Sequence, residues 1–399
     1  MASLLTLEEA QERVLKAVHP LPAENVLIAA AVGRVCAVDV RARVDLPPFA
    51  SSAMDGFAVH AADLPGTLRI GGESAAGRPF AARLEQGCAV AISTGAVVPE
   101  GADAVVPIEN VVRQDNAVKV EDAAAPGAHI RRRGGDVAAG EVVIAAGELL
   151  TPGRLAAAAA SGASELRCAR RPRVSVLATG SELVDPGGDL GPGQIYETNS
   201  LMLSSELAAA GADVVTEPPV ADDERDLRDA LERGLAGDIL VTSGGVSVGE
   251  HDLVRAAQRE LGVEERFWRV SIKPGKPVSF GVRGETLVFG LPGNPVSSLV
   301  GCELFVKPAL RALQGVSDPL PRFEPGRLAA DLRRNEERDE FVRARVRTDG
   351  DALVLEPVTG QESHMIVRSA GADALVHVPR GNGELAAGST VRWLRLATR

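Results

Sequence analysis

Apolar residues recur at helical spacing near the start of the chain. Residues 4–18 place their apolar side chains on one face, and Thr6 with Glu9 fits a capping box. This pattern predicts an amphipathic helix, followed by a short helix or turn over Ala23–Gly33. The segment Asp45–Phe49 contains two consecutive prolines, which remove backbone donors and interrupt regular structure.

Between residues 51 and 146 the pattern changes to short β-rich runs separated by Gly, Pro and Asp turns, which predicts a compact β domain. A second helix should follow, capped by Thr151, with Pro152 in its first turn and an end near Ser161. The two helices flank the β domain, so they could pack on each other and leave it as an insertion. The predicted strands are Gly56–Val59, Cys88–Ile92, Ala104–Ile108, Ala117–Val120 and Glu141–Ile144.

Residues 173–313 alternate apolar strands with helices, which predicts an open, mainly parallel sheet. The predicted strands are Arg173–Ala178, one beginning at Val214–Val215, Asp238–Thr242, Arg266–Ile272, and a hairpin of Pro277–Gly281 and Thr286–Gly290. The predicted helices are Asn199–Ala210, Asp223–Leu235, His251–Leu261 and Pro295–Leu313. Residues 321–399 return to short β runs with Gly turns and predict a small C-terminal β-barrel or sandwich.

Length and charge narrow the possible functions. A chain of 399 residues is expected to form two to four domains. A net charge of −11 argues against a general nucleic-acid binder but allows an anionic substrate held by a metal and local cations. The four cysteines are far apart without a CxxC pair, and no signal peptide or membrane span is present, so a cytoplasmic protein with reduced thiols is expected.

The loops after the strands of the α/β region are the first candidates for a ligand site, because ligands bind beyond the carboxyl ends of such strands. Thr179–Glu182 offers backbone donors and a carboxylate, and Ser243–Gly249 is flexible enough to cradle a phosphate. Asp252 follows, where it could cap a helix or bind a metal. An ordinary turn is the alternative for Thr179–Glu182, whereas a phosphate cradle is favoured over an ordinary loop for Ser243–Gly249.

Two further loops carry more specific patterns. Ile272–Pro277 frames Lys273 and Lys276 with prolines, which holds both ammonium groups on a stiff loop. Leu291–Ser297 ends a strand and starts a helix, with Asn294 as its expected cap and free N–H groups that would attract an oxyanion.

Other regions give weaker signals. Asp55 precedes a glycine, Thr94 lies in a turn, and Arg131–Asp136 combines three cations with an acid, a pattern that is usually a solvated basic turn. The histidines lack metal-ligand spacing, and no Ser-His-Asp or Cys-His arrangement can be assembled. Walker A and GxGxxG motifs are also absent, which disfavours NTPase and dehydrogenase functions.

Taken in order, several segments resemble the MoeA family, the molybdopterin molybdenumtransferases similar to the gephyrin E domain. The segments are SAMDGFAV, STGAVVPEGADAVV, IRRRGGDV, ATGSEL, YETNS, SGGVSVGEHD, IKPGKP and LPGNPVSS. The resemblance covers nearly the whole chain. It implies a helical linker domain from residues 1–50 and 147–172, an inserted β domain at 51–146, an α/β domain at 173–320 and a C-terminal β domain at 321–399.

The resemblance also implies a reaction. Adenylylated molybdopterin and molybdate would react, AMP would leave, and molybdenum would remain on the dithiolene. The family implies Mg²⁺ or a similar divalent ion, a homodimer whose active sites are built from both chains, and a molybdopterin adenylyltransferase as the upstream donor.

Matching the family's motifs position by position implies roles for individual residues. The conserved polar and acidic positions correspond to Asp55, Thr94, Asp136, Glu182, Asp222 and Asp252, of which Glu182, Asp222 and Asp252 are the expected metal ligands. The molybdate positions correspond to Lys273, Lys276, Ser297, Arg338 and Ser363. The expected phosphate-binding positions are Ser243, Gly244, Gly245, Ser247, Gly249, Pro292, Gly293 and Asn294. The chain departs from gephyrin-like members at His364 and at Ala370–Asp373.

Two other functions stay open at this stage. A molybdopterin adenylyltransferase uses a related α/β domain, but the additional domains favour the insertion step. A non-catalytic pterin-binding scaffold is the second alternative, although the candidate site residues are intact and no long disordered linker is present.

Overall fold

The computed structural model describes residues 4–220, 223–245, 253–350 and 352–396. It confirms a multidomain α/β plus β fold, with separate apolar cores in the β, α/β and C-terminal regions. Within the described ranges, no helix is both long and apolar enough to cross a membrane. All four cysteines are free and buried.

The first helix, Leu7–Lys16, begins as the sequence predicts. Glu9 N donates to Thr6 Oγ1 at 3.2 Å, and Thr6 N donates to Glu9 Oε2 at 2.9 Å, which completes the capping box. Its apolar face is buried in the core of the α/β region, against residues such as Phe305. The expectation that it packs on the second helix is therefore wrong.

The second helix, Pro152–Ala160, belongs to a different core. Thr151 caps it, as predicted, by accepting a hydrogen bond from Arg154 N at 3.4 Å. The alanine side chains of this helix are small, and the buried Ala158 packs in a core with Ile144 and Leu166. This core is separate from the one that contains the first helix.

The predicted helix or turn over 23–33 is also corrected. Ala23–Leu27 is a strand, followed by a 3₁₀ turn at Ile28–Ala30. The strand pairs antiparallel with Glu165–Ala169, a partner about 140 positions away that local periodicity cannot reveal. Val142–Ile144 likewise pairs with Val40–Arg41, so it lies outside the main sheet of the β domain.

The β region contains a six-stranded sheet. In spatial order its strands are Ala104–Pro107, Gly56–Val59, Cys88–Ile92, Gly66–Ser74, Ala117–Val120 and Val111–Gln114. Short 3₁₀ turns occupy Ala61–Asp63 and Ile108–Asn110. Beside this sheet, Ser51–Ser52 pairs with Ile130–Arg131, which joins the start of the region to its end.

The α/β region forms the open, mainly parallel sheet that the alternation predicts. In spatial order its strands are Asp213–Thr216, Arg173–Ala178, Ile239–Ser243, Thr286–Leu291, Ser279–Arg283 and Glu264–Trp268, of which the first four are parallel. Its helices are Asn199–Ala209, Glu224–Gly234, Leu253–Glu260, Pro295–Gly301 and Lys307–Leu313. Leu183–Val184 and Ile195–Tyr196 form a separate parallel pair.

Two elements of this region differ from their predicted form. The strand predicted over 266–272 ends at Trp268, because Arg269 adopts a positive φ of 77° that breaks the extended backbone. The helix predicted over 295–313 is continuous but widens into a π-helical segment at Cys302–Val306.

The C-terminal region is a closed five-stranded barrel, which resolves the choice between barrel and sandwich. Its strands, in order around the barrel, are Asp339–Asp349, Ala352–Pro357, Glu324–Leu328, Thr390–Arg395 and Ala374–Val378. Leu332–Arg333 pairs with Glu384–Leu385, and one short helix covers Ile366–Ser369. The short strand Ile272–Lys273 of the α/β region pairs with the first residues of the barrel strand Asp339–Asp349.

Candidate functional site

The predicted phosphate loops lie at one edge of the α/β sheet. The parallel strands Arg173–Ala178, Ile239–Ser243 and Thr286–Leu291 are neighbours, with Ala178, Ser243 and Leu291 in register at their carboxyl ends. The three loops that follow therefore converge at the position where open α/β sheets bind ligands.

A polar network connects these loops. Asn199 Nδ2 donates to Ser243 Oγ at 2.8 Å and to Gly293 O at 2.7 Å. Asn199 Oδ1 is buried and accepts no hydrogen bond from the described residues. Because a buried acceptor without a partner is costly, this oxygen is suited to a donor from a bound ligand or water.

The start of the Gly-rich loop is sterically restricted. Gly244 has φ +98°, and a Cβ there would lie 2.5 Å from Thr179 O. Gly245 has φ +62°, and a Cβ there would lie 2.2 Å from Val254 Cγ2. Only glycine fits either position, because the loop backbone packs closely on Thr179, which follows the neighbouring strand, and on Val254 of the next helix. The predicted phosphate residues Ser247 and Gly249 lie outside the described residues.

Glu182 projects from the first of the three loops. Its side chain is exposed and its carboxylate lies over Gly180, where an added Cβ would be 2.6 Å from Oε2. The other expected metal ligands, Asp222 and Asp252, lie outside the described residues. Within the described ranges, no group of three or more His, Cys, Asp or Glu residues could hold a metal ion.

The third loop starts a helix as predicted, with Asn294 at the N-cap position and Pro295 in the first turn. The Asn294 side chain, however, makes no capping hydrogen bond. Ser298 Oγ instead donates to Pro292 O and lies 3.3 Å from Ser243 Oγ. These two buried hydroxyls tie the helix start to the neighbouring strand end.

The lysine loop meets the C-terminal barrel through backbone pairing. Ile272–Lys273 runs parallel to the strand Asp339–Asp349, with Lys273 opposite Glu340. Lys273 Nζ lies 3.0 Å from Glu340 Oε1. This pairing brings residues from distant parts of the sequence to one place, including Arg338.

Arg338 is held beside the lysine loop by its main chain. Arg338 N donates to Asn335 Oδ1 at 2.9 Å, and Ser271 Oγ donates to Glu337 O at 2.7 Å. Arg338 Nε is buried without a hydrogen-bond partner among the described residues. A guanidinium N–H in that state is a donor available to an oxyanion.

Ser363 lies beside the start of the helix Pro295–Gly301, close to the lysine loop. Val296 N donates to Ser363 O at 3.0 Å, which attaches the Ser363 segment to the start of the helix that carries Ser297. A Cβ on Gly275 would lie 3.5 Å from Ser297 O, so the lysine loop passes close to that helix. The structure thus brings together the loops that carry Lys273, Lys276, Ser297, Arg338 and Ser363.

Asp55 and Thr94 form a second location in the β region. Thr94 N donates to Asp55 Oδ1 at 2.7 Å, and both residues are exposed. Asp136 is also exposed, and its backbone N donates to Leu46 O at 2.8 Å. In the described residues, no hydrogen bond or ion pair joins these three residues to the loops of the α/β sheet.

A neighbouring carboxylate, Asp45, was not among the predicted site residues. It accepts hydrogen bonds from Ala139 N at 2.9 Å and Arg133 Nε at 2.6 Å. These two bonds hold the pKa of Asp45 below its ordinary value. Arg133, one of the three arginines in the basic segment Arg131–Asp136, is therefore paired with Asp45.

Sequence reasoning assigned no role to several residues that shape the site. The sequence pattern predicts only a helix that begins at Asn199, although this residue lies in the YETNS segment. Glu340 lies two positions after Arg338 in the sequence. Its contact with Lys273 depends on the parallel pairing of Ile272–Lys273 with Asp339–Glu340, which the sequence alone does not reveal. Arg343 gives no local signal, because only its burial and its contacts distinguish it from a surface arginine.

Three family descriptions match successive parts of the chain. Residues 5–162 match the MoeA N-terminal region (domain I and II), residues 175–312 match a probable molybdopterin binding domain, and residues 325–396 match the MoeA C-terminal region (domain IV).

Individual relatives match over almost the full length. Molybdopterin molybdenumtransferase 2 of Mycobacterium tuberculosis is 38% identical, over 98% of this chain and 99% of the relative. Molybdopterin molybdenumtransferase of Haemophilus influenzae is 35% identical, over 97% and 98%. The crystal structure of the molybdopterin biosynthesis MoeA protein from Pyrococcus horikoshii aligns with a TM-score of 0.85 at 28% identity, over 98% of this chain and 100% of that chain.

Proposed function

The chain belongs to the MoeA family, and from this we propose that it is a molybdopterin molybdenumtransferase of molybdenum cofactor biosynthesis. The proposed reaction takes adenylylated molybdopterin and molybdate, releases AMP and leaves molybdenum on the dithiolene. The observation that carries this proposal is the convergence of the lysine loop, the start of the helix Pro295–Gly301, Arg338 and Ser363.

The central physical problem of this reaction is the approach of two anions. At ~4 Å, two unit charges of the same sign repel by about 4 kcal/mol at an effective dielectric constant near 20. Lys273, Lys276 and Arg338 would offset this repulsion around molybdate. Ser297 and Ser363 would add hydrogen bonds that fix the orientation of the oxometalate.

The nucleotide end of the substrate would lie at the carboxyl edge of the parallel sheet. Backbone N–H groups of the Ser243–Gly249 loop, Gly293 and Asn294 are the proposed donors to its phosphates. Pro292 has no N–H, and Gly244 N already donates to Leu291 O at 3.1 Å. Asn199 supports this arrangement, because its amide holds two of the loops together and leaves Oδ1 available.

Magnesium is part of the proposal, with Asp222, Asp252 and Glu182 as ligands. A bound divalent ion would act as a Lewis acid on the phosphoryl oxygens. Among these three, Glu182 is the carboxylate that lies within the described residues. Asp55, Thr94 and Asp136 are proposed to complete the site from the β domain or to position water.

We further propose a homodimer in which each active site receives residues from both chains. This arrangement is compatible with the absence of any bond, in the described ranges, between the Asp55–Thr94 location and the α/β loops of the same chain. A molybdopterin adenylyltransferase is the proposed upstream donor, and the cytoplasm is the proposed location, in keeping with the free thiols.

The proposal is tested by incubating the protein with adenylylated molybdopterin, Mg²⁺ and either molybdate or tungstate, and measuring AMP and protein-bound metal. AMP release that requires the oxometalate is expected. Asp252→Asn should bind the pterin nucleotide without releasing AMP, and wild-type AMP release by this variant would refute the role of Asp252.

The two alternatives give different results in the same set of assays. An adenylyltransferase would form adenylylated molybdopterin from molybdopterin and ATP. A non-catalytic scaffold would bind the pterin nucleotide and release no AMP under any of these conditions.

A further inference from the structure

Arg343 is a buried cation in the strand Asp339–Asp349. Its side chain is 0% exposed, although arginine is normally a surface residue. Burying a guanidinium is costly unless its donors are satisfied within the protein. Its two terminal nitrogens have acceptors, whereas Nε is buried without a hydrogen-bond partner among the described residues. The groups that accept from the terminal nitrogens therefore indicate which part of the structure depends on Arg343.

All four hydrogen bonds from its two terminal nitrogens go to one segment, residues 360–369. Nη1 donates to Met365 O at 2.8 Å and to Ser369 Oγ at 2.6 Å. Nη2 donates to Gly360 O at 2.7 Å and to Glu362 O at 3.2 Å. The planar fork of a guanidinium can serve all four positions at once, whereas an ammonium group cannot.

The main chain of Arg343 holds the same segment. Arg343 N donates to Gln361 Oε1 at 3.0 Å, and Gln361 Nε2 donates to Arg343 O at 2.9 Å. In the described residues, no carboxylate lies within ion-pair distance of Arg343, so hydrogen bonds to uncharged oxygens of the 360–369 segment provide most of the stabilisation of its charge. Moving this segment away would leave a buried cation without acceptors.

The 360–369 segment also carries Ser363. Two of the carbonyl oxygens that accept from Arg343 belong to Gly360 and Glu362. Glu362 immediately precedes Ser363 in the chain. Beyond them, Ser363 O accepts from Val296 N at the start of the neighbouring helix. Ser363 is therefore fixed between the Arg343 fork and the helix that carries Ser297.

We propose that Arg343 is a positioning residue for molybdate, which it supports by holding Ser363 and the 360–369 segment against the helix that begins at Pro295. Because its side chain is 0% exposed, Arg343 would act through this segment rather than by direct contact with molybdate. This inference rests on the proposed function, because Ser363 has a role only if an oxometalate binds there.

A residue that only stabilised the fold would give a different kinetic result. Loss of general stability lowers the amount of active enzyme and affects both substrates equally. Loss of positioning at Ser363 weakens the molybdate end of the site and leaves the nucleotide end unchanged. The ratio of the two KM values therefore separates these roles.

The test compares Arg343→Lys with Arg347→Lys in the full-length protein. Arg347 lies on the same strand, is exposed and pairs with Glu356 at 2.7 Å, away from the 360–369 segment, so it is a matched control. AMP release is measured with molybdate varied and then with adenylylated molybdopterin varied. In Arg343→Lys, the KM for molybdate should rise at least about tenfold, and the KM for the nucleotide should stay within about twofold.

A milder variant covers the case in which Arg343→Lys does not fold. Ser369→Ala removes one of the four acceptors and is expected to raise the KM for molybdate by a smaller factor, about two- to fivefold. An unchanged KM for molybdate in folded Arg343→Lys, or in Ser369→Ala if Arg343→Lys does not fold, would overturn the inference.

A second measurement does not depend on activity. Amide hydrogen exchange of residues 360–369 in the substrate-free protein should be faster in Arg343→Lys than in wild type, and unchanged in Arg347→Lys. If wild-type protein released no AMP with molybdate, the proposed function would fail and the positioning of molybdate with it, while the exchange result would still report on the segment. Unchanged exchange in folded Arg343→Lys would contradict the positioning role directly.

Discussion

Lys273 Nζ and Glu340 Oε1 form a 3.0 Å ion pair between the lysine loop and the C-terminal barrel. The lysine side chain is 46% exposed and the glutamate 15% exposed. The cation proposed to bind molybdate is therefore partly neutralised by a carboxylate on the adjacent strand. Glu340 thus fixes the direction of Lys273 and reduces the positive potential of the site.

Replacing Glu340 by Gln should strengthen molybdate binding. The substitution keeps the shape and a hydrogen-bond acceptor but removes the competing negative charge. We expect the KM for molybdate to fall about two- to fivefold, in line with the contribution of a partly exposed ion pair. The difference should shrink as ionic strength rises. Glu356→Gln is the matched control, since Glu356 pairs with Arg347 away from the site. A higher KM in Glu340→Gln would show that orienting Lys273 outweighs its neutralisation.

Asp55 gives a prediction that separates structure from chemistry. Its Oδ1 accepts from Thr94 N at 2.7 Å. Asp55→Ala should lower the free energy of unfolding by about 0.5–1.5 kcal/mol, because that hydrogen bond is lost. Asp55→Asn retains an acceptor and should keep wild-type stability. If the carboxylate acts in the reaction, AMP release by Asp55→Asn should still fall at least about tenfold. Wild-type AMP release by Asp55→Asn would limit Asp55 to holding the turn.

Substitution of Gly244 tests whether the Gly-rich loop packs closely on Thr179 at the carboxyl end of the sheet. Gly244→Ala places a Cβ 2.5 Å from Thr179 O at φ +98°. The control Gly262→Ala has a similar φ of +83° with nothing within 4 Å. We expect Gly262→Ala to cost about 1–2 kcal/mol from backbone strain alone. Gly244→Ala should cost a further ~1–3 kcal/mol from the clash and should weaken nucleotide binding. Equal losses of stability in the two variants would contradict the close packing of this loop.

The sequence predicted most elements whose pattern is local. The helix Leu7–Lys16 with its capping box and the strands Gly56–Val59 and Cys88–Ile92 were predicted within a few residues of their bounds. Ala23–Leu27 was missed because its strand character comes from pairing with Glu165–Ala169, far along the chain. The packing of the first helix was missed for the same reason, since its apolar face does not specify which core receives it.

The candidate site likewise contains residues that the local sequence marks and residues whose role depends on long-range contacts. Lys273 and Lys276 stood out because prolines frame them, and Arg338 and Ser363 entered only through resemblance to a family. Glu340 and Arg343 gave no signal, because their importance depends on which strands pair and on which side chains are buried.

Asp238 provides a pH-dependent prediction at the junction between the segment that follows the strand Glu165–Ala169 and the α/β sheet. Arg170 donates to both of its carboxylate oxygens, at 2.7 and 2.8 Å, and Arg173 N donates at 2.7 Å. Burial opposes ionisation, but these three bonds outweigh it and hold the pKa of Asp238 below its ordinary value of 3.8. A lowered pKa in the folded state adds stability above the unfolded pKa, and this stability is lost as pH falls through the folded pKa.

Asp238→Asn should therefore be less stable than wild type at pH 7, by about 1.5–3 kcal/mol for hydrogen bonds to a charged group. The gap between the two proteins should begin to narrow as pH falls below about 4, because the unfolded chain then binds a proton at Asp238 before the folded protein does. It should close only when pH falls through the lower folded-state pKa. Urea unfolding midpoints measured from pH 7 down to the acid limit of the native state would show this convergence. Asp229→Asn is the matched control, because Asp229 is exposed on the helix Glu224–Gly234 and its removal should leave the midpoint unchanged at every pH. A gap that stayed constant with pH would mean that the Asp238 charge contributes nothing to the junction.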